Sequence, residues 1–448
     1  MSGQFGRVVR FFASAVVVMM ITAGCGSLTP DSLAYANEDA TVAEESVIRI
    51  ATPRIRGLEQ AIDDWEREHP TARVEIVVRS IDDHHRSVLD DAGAGGVFDV
   101  IGFEAAYGPD VRERSELFLD LETIDGDVAE SDYLSSRWRE GIGDDGRLIG
   151  LPIDVDSVAL AVRSDMVDPA LIDRLEAAST WCELIATGDA FSDATGLAFL
   201  PDGDEVFTTV LSQNRLSFID DSGAMLPDEA PELERAWDLT MLAIGSPPLH
   251  GTPCATETGA EGTEIARITR DLPAGGSQWR DELRADGFAA VLARYSELRA
   301  IAAAAPDTTG RWTVVELPGT SGPSAGGIHL GISKDSTHAD LAFDLVSYLA
   351  NPIIQKHAFA DGSGPFPAAS VIYGDPTITE YSDPFFGDAP IGEIFASTAT
   401  RRPTELAGPL RRIVIELFVS ALNRVEDGTQ TPDEAWDDAL WSIDQFLG

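Results

Sequence analysis

Asp154 and Asp156 stand two positions apart in the run Pro152-Ile153-Asp154-Val155-Asp156-Ser157-Val158. In an extended chain such side chains point to the same side, and the aliphatic neighbours Ile153 and Val155 anchor the backbone between them. Two anchored carboxylates suit the hydroxyls of a ligand. A solvated acidic turn is the competing reading in a chain this acidic. Gly146 supplies a turn, Pro152 forbids a helix through this point, and Val158, Leu160 and Val162 then recur with the period of a strand. The stretch from Gly146 to Asp165 is therefore read as the place where the chain first crosses between two lobes.

The elements that must position these residues follow from periodicity. Val47, Ile48 and Ile50 open a strand that ends at Thr52-Pro53, and Leu58, Ala61, Ile62 and Trp65 follow at helical spacing until His69-Pro70. Val74, Ile76 and Val78 alternate with Glu75 and Arg79 as a second strand, a helix runs from about Asp83 to Ala92, and 97–103 is a third, buried strand. Strand, helix, strand, helix, strand implies a parallel sheet flanked by helices, with ligands outside the carboxyl ends of its strands. That rule puts 53–56, 81–83 and 104–107 on one rim. Thr180 with Glu183, and Thr431 with Glu434, have capping-box spacing and are structural. Trp181 reads as core. Residues 409–422 and 433–447 carry apolar stripes of buried helices.

Length allows two cores, since single cores stop growing at about 250–300 residues and the chain has 448. The formal charge is −44, from 76 acidic and 32 basic residues, which excludes nucleic acid as a partner. Lys334 and Lys356 are the only lysines, a composition that favours solubility where salt screens like charges. Arg7 and Arg10, the apolar run 11–21 and the small residues before Cys25 form an export signal over 1–24, and 25–46 reads as a polar tether. Cys182 and Cys254 are left as an even pair that either bridges or stays as two buried thiols. Neither the cysteines nor His84-His85 has metal-ligand spacing, so no metal and no cofactor is assigned.

The signal resembles that of a bacterial lipoprotein, with Cys25 as the lipidated residue. The mature chain resembles the extracellular solute-binding proteins of carbohydrate-binding type, the receptor components of ABC importers similar to maltose- and trehalose-binding members. The likeness is an ordered series: 57–78, Phe98 to Tyr107, the crossing strand 146–165, Thr180-Trp181-Cys182-Glu183-Leu184, Gly326 to Lys334, Asn351-Pro352, 364–375 and Thr431 to Ala435. It implies an α/β fold of two lobes, each a parallel-rich sheet flanked by helices, with the ligand cleft between. Lobe 1 would comprise 47–152 and 320–375, and lobe 2 153–319 and 376–448.

The resemblance further implies a monomeric, exported, lipid-anchored receptor that hands a sugar or oligosaccharide to permease subunits. Sugars need flat aromatic faces and planar polar groups. Arg54, Glu104, Asp154, Asp156 and His329 are the polar candidates, and Tyr107, Trp279, Tyr295 and Phe366 the aromatic ones. Ile328 stands where relatives often carry Trp. His329 and Trp279 also read as core residues, and Arg54 as charge balance. A sugar acid, a polyamine or a sensor role is the alternative within the same fold. A secreted glycosidase is the distant one, requiring carboxylates such as Glu104 and Asp156 about 5–9.5 Å apart. No nucleophile elbow, phosphate loop or metal motif supports catalysis, so the chain is read as a non-enzyme.

Overall fold

The computed structural model describes residues 46–447 apart from 54, 56, 94, 96, 105–106, 125–127, 215–229, 252, 255–266, 273–275, 325, 363 and 404–409. The export signal, the tether up to residue 45, Cys25 and Arg54 therefore lie outside the described residues, and Ser46, the last residue read as tether, opens the first strand. Among the described residues no helix is long and apolar enough to cross a membrane.

Alternation of apolar and polar residues makes β1 (Ser46–Pro53) and β2 (Ala72–Arg79), which pair in parallel along their whole length. The helix Leu58–Glu68 between them buries Leu58, Ile62 and Trp65 on one stripe. β3 (Val100–Glu104) lies parallel to β1 on its other side. β4 (Leu151–Pro152) and β8 (Ile328–Ile332) complete a five-stranded sheet in the order β2-β1-β3-β8-β4. β8 runs antiparallel to both β3 and β4. Ile48, Ile50, Trp65, Val100, Leu330 and Leu345 belong to the core beside this sheet.

A second, three-stranded sheet has the order β6-β5-β7, from β5 (Val158–Arg163), β6 (Ala290–Arg294) and β7 (Trp312–Val315). Here the parallel-rich expectation needs correction, because β5 is antiparallel to both neighbours. β6, the helix Tyr295–Ala304 and β7 form a crossover unit whose strands run the same way. The crossing strand β5 fills the gap between them in the opposite direction. This sheet has its own core, in which Phe207, Trp237, Phe418 and Trp436 meet.

The chain passes from one sheet to the other at 153–157 and returns between β7 and β8. The first passage is tied by backbone bonds to the return and to a later loop: Asp156 N–H donates to Gly326 O (3.1 Å), Ile153 N–H to Ile328 O at the start of β8 (3.1 Å), and Val155 N–H to Phe366 O beyond β8 (3.0 Å). Gly327 has φ 136°, and a Cβ there would sit 2.8 Å from Asp154 O. Only glycine lets the strands approach this closely.

Beneath the crossing lies a buried ion cluster. Arg137 Nη1 bonds Glu140, Arg402 Nη1 lies 2.6 Å from Glu140 Oε1, and all three side chains are almost completely enclosed. In the second half, Cys182 on the helix Trp181–Thr195 is joined to Cys254 by a disulfide. Both capping boxes form: Glu183 N–H donates to Thr180 Oγ1 (3.2 Å) while Thr180 N–H donates to Glu183 (3.1 Å), and Thr431 and Glu434 repeat the exchange.

Candidate functional site

β1, β3 and β6 deliver Pro53, Glu104 and Arg294 from their carboxyl ends to one cavity of about 300 Å³. Asp154 and Asp156 enter it from the crossing, Tyr295, Ser296, Glu297 and Arg299 from the helix that follows β6, and Gly327 and Ile328 from the start of β8. Residues from both sheets thus share a single recess. A larger one, about 620 Å³, is lined by Trp65, His69, Tyr133, Phe343 and Tyr348. Its wall is built from helix and loop side chains and receives no strand end.

Charged and polar side chains converge in the cleft beside apolar ones such as Pro53, Ile55 and Ile328. Asp154 is spent on structure: its Oδ1 accepts the Ile328 N–H, and its backbone oxygen accepts from Arg137 Nε at 3.0 Å. Asp156 accepts from Ser296 Oγ at 3.2 Å on both oxygens and lies 4.0 Å from Arg294 Nη1. Glu297 accepts the Arg294 N–H (2.9 Å), which fixes the start of its helix. The Glu104 backbone N–H donates to His85 Nε2 at 3.1 Å, and the His85 ring stacks on Tyr107 with centroids 3.7 Å apart.

Burial shapes the charge state. Removal from water pushes the Glu104 carboxyl up to about 7, against the pull of Arg294 and with the repulsion of Asp156 added. The same loss of water pushes Asp156 to about 7, with Arg294 opposing and Asp154 reinforcing. Burial alone would lower the Arg294 guanidinium, but Glu297, Asp156 and Glu104 outweigh it and raise it. Glu205, behind this group, is pushed well up by burial and by Glu297.

The structure brings Glu104, Asp154, Asp156 and Tyr295 to the same cavity. The other described residues named from sequence, Tyr107, Trp279, His329 and Phe366, do not line it. His329 is buried, with Nε2 2.8 Å from Arg137 O and Nδ1 3.2 Å from Arg137 Nη2. Trp279 is 3% exposed and packs on Phe288 in the core. Phe366 is 0% exposed, inside an aromatic knot with Tyr295, Phe359 and Phe395. A ring enclosed on all sides offers no face for stacking. Tyr107 stacks on His85 and has Arg412 over its ring at 5.0 Å.

Sequence reasoning missed Arg294, Ser296, Glu297 and Arg299. A signal was present: Val291-Leu292-Ala293 ends at Arg294, and the Glu three residues later is the spacing of a helix start. It also missed His85, whose role as acceptor for a strand-end amide leaves no pattern in sequence.

The family described as "Bacterial extracellular solute-binding protein" matches residues 51–356. No curated protein matches the chain. Similar solved structures include an extracellular solute-binding protein of family 1, 24% identical, with a TM-score of 0.76 over 89% of this chain and 99% of that one. The sugar-binding protein MalE from the phytopathogen Xanthomonas citri is 19% identical, with a TM-score of 0.68 over 90% and 97%. An ABC transporter associated binding protein from B. animalis subsp. lactis, solved with beta-1,6-galactobiose, is 17% identical, with a TM-score of 0.67 over 90% and 97%.

Proposed function

The chain belongs to the bacterial extracellular solute-binding proteins, and from that premise we propose that it is the receptor of an ABC importer, capturing a sugar or oligosaccharide between its lobes. The observation that carries this reading is the cavity to which both sheets and the crossing contribute polar side chains. A ligand held by Asp156, Glu104, Arg294 and Ser296 touches both walls at once. Its binding energy then favours the closed arrangement, which a permease can distinguish from the open one. Lobe 1 is taken as 47–152 with 320–375 and lobe 2 as 153–319 with 376–448. Lipid on Cys25 would hold this monomeric receptor at the outer face of the membrane, beside the permease subunits. No reaction is assigned to it, because the family it matches and the solved structures it resembles are binding proteins.

A second reading has its own support. The cavity wall carries Glu104, Asp154, Asp156 and Glu297 against Arg294 and Arg299, and Tyr295 is its only aromatic among the described residues. Fewer stacking faces and an excess of carboxylates favour a ligand bearing a positive charge, such as an amino sugar or a polyamine, over a sugar acid.

The test is a thermal-shift panel of neutral saccharides, amino sugars, sugar acids and polyamines, followed by calorimetry on each hit. A ligand at a hundredfold excess over Kd adds about 2.7 kcal/mol of stability. A neutral or amino sugar whose shift disappears in Asp156→Ala supports the receptor reading. Turnover of a glycoside, or binding untouched by Asp156→Ala and Glu104→Ala, overturns it.

A further inference from the structure

Three carboxylates converge away from the cleft. Asp202 and Asp204 flank Gly203 where the helix Asp204–Ser212 begins, and Glu426 ends the helix Leu410–Glu426. One carboxylate oxygen from each lies within 4.8 Å of one from each of the others. Asp202 is 4% exposed, and the Glu426 side chain is 0% exposed.

The known contacts leave this group unsatisfied. Asp202 Oδ1 accepts the Asp204 N–H (3.1 Å), and Asp204 Oδ2 accepts from Asn423 Nδ2 (3.2 Å). Glu426 Oε1 accepts from Arg267 Nη2 (2.8 Å) and Thr269 Oγ1 (3.3 Å). Glu426 Oε2 and Asp204 Oδ1 are buried and have no hydrogen-bond donor. A buried, unpaired carboxylate oxygen is costly and is relieved either by a proton or by a cation. Arg267 pairs with Glu426.

We propose that Asp202, Asp204 and Glu426 form a binding site for one divalent cation, calcium, which clamps the loop at 201–204 to the end of the helix Leu410–Glu426. The donors are all hard oxygens, the set that calcium takes and that zinc or copper does not prefer. Calcium also accepts the mixed one- and two-oxygen coordination that three carboxylates on a loop and a helix end can offer. Neither tie is local in sequence, so the ion fastens segments more than 200 residues apart.

The experiment uses the full-length protein, stripped with a chelator and held in high sodium chloride to suppress loose ion binding by its many surface acids. Equilibrium dialysis with radioactive calcium counts the bound ions, and melting is followed against added calcium chloride. The expected result is one calcium more per chain in the wild type than in Asp204→Asn and in Glu426→Gln, with a rise of several degrees in melting temperature that both variants lack. Equal calcium counts in wild type and variants would overturn the proposal. So would a wild-type melting shift that sodium chloride of the same ionic strength reproduces, a comparison that holds even if either variant fails to fold.

Discussion

Glu104 and Asp156 both titrate near 7 because burial strips water from them faster than Arg294 compensates. An ordinary carboxyl in an unfolded chain titrates near about 4, so between those limits the folded protein binds protons that the unfolded chain releases. Stability conferred by these groups is therefore full below about 4 and is lost as pH rises through about 7. The melting temperature should fall over that window, and Glu104→Gln should flatten the fall and melt higher than wild type at pH 8; parallel curves would refute the assignment. Binding has the opposite slope for a cationic ligand, whose affinity should rise as pH passes 7, whereas a neutral sugar should show a shallower change in calorimetry. A second residue-scale prediction concerns Glu140, enclosed between Arg137 and Arg402. Removing one member of a buried ion group leaves the others uncompensated, so Glu140→Ala should cost about 3–5 kcal/mol in denaturant unfolding. At this scale the sequence was legible where carboxylates sat on a recognisable crossing, as with Asp154 and Asp156. It was not legible for Trp279, His329 and Phe366, because an aromatic ring has the same letter whether it faces a cleft or fills a core.

Elements with local signals were readable: β1, β2, the helix Leu58–Glu68 and both capping boxes announce themselves within a few residues. β6, β7 and the helix between them were not, since their places depend on pairing with β5, more than 100 residues earlier. The cleft residues Arg294 and Ser296 were lost with them. The disulfide belongs to this scale as well. Cys182 and Cys254 are 72 residues apart, and closing a loop of that length restricts the unfolded chain and stabilises the fold by about 2–4 kcal/mol. Reduction should accordingly lower the unfolding midpoint without altering ligand affinity, because neither cysteine lines the cavity. A change in affinity with the midpoint unmoved would contradict this. The crossing itself is tested by Gly327→Ala. Its φ of 136° and the 2.8 Å approach to Asp154 O leave no room for a methyl group, so the variant should lose both stability and the alignment of Asp154 in the cleft.

Across the whole molecule, a formal charge of −44 makes self-repulsion a global cost of the compact state. Salt screens it, with a Debye length falling from about 10 Å at 0.1 M to about 3 Å at 1 M. The melting temperature should therefore climb between those concentrations, and a flat response would count against salt adaptation. A cation–ring contact also joins the two halves of the molecule. Arg412, on the helix that ends at Glu426, lies over Tyr107, which follows the β3 end of the other sheet. Its guanidinium also bonds Glu416 at 2.6 Å, which holds it in place from its own helix. A cation over an aromatic face at an exposed site is worth about 0.5–1 kcal/mol, and neither residue lines the cavity. In the receptor reading the contact would act on the equilibrium between open and closed forms and leave the ligand's own bonds intact. Arg412→Ala should weaken ligand binding about two- to fivefold, the factor that energy converts to, and small-angle scattering should show a larger fraction of the extended form without ligand. Unchanged affinity together with an unchanged scattering profile would show that the Arg412–Tyr107 contact carries no part of the closing energy.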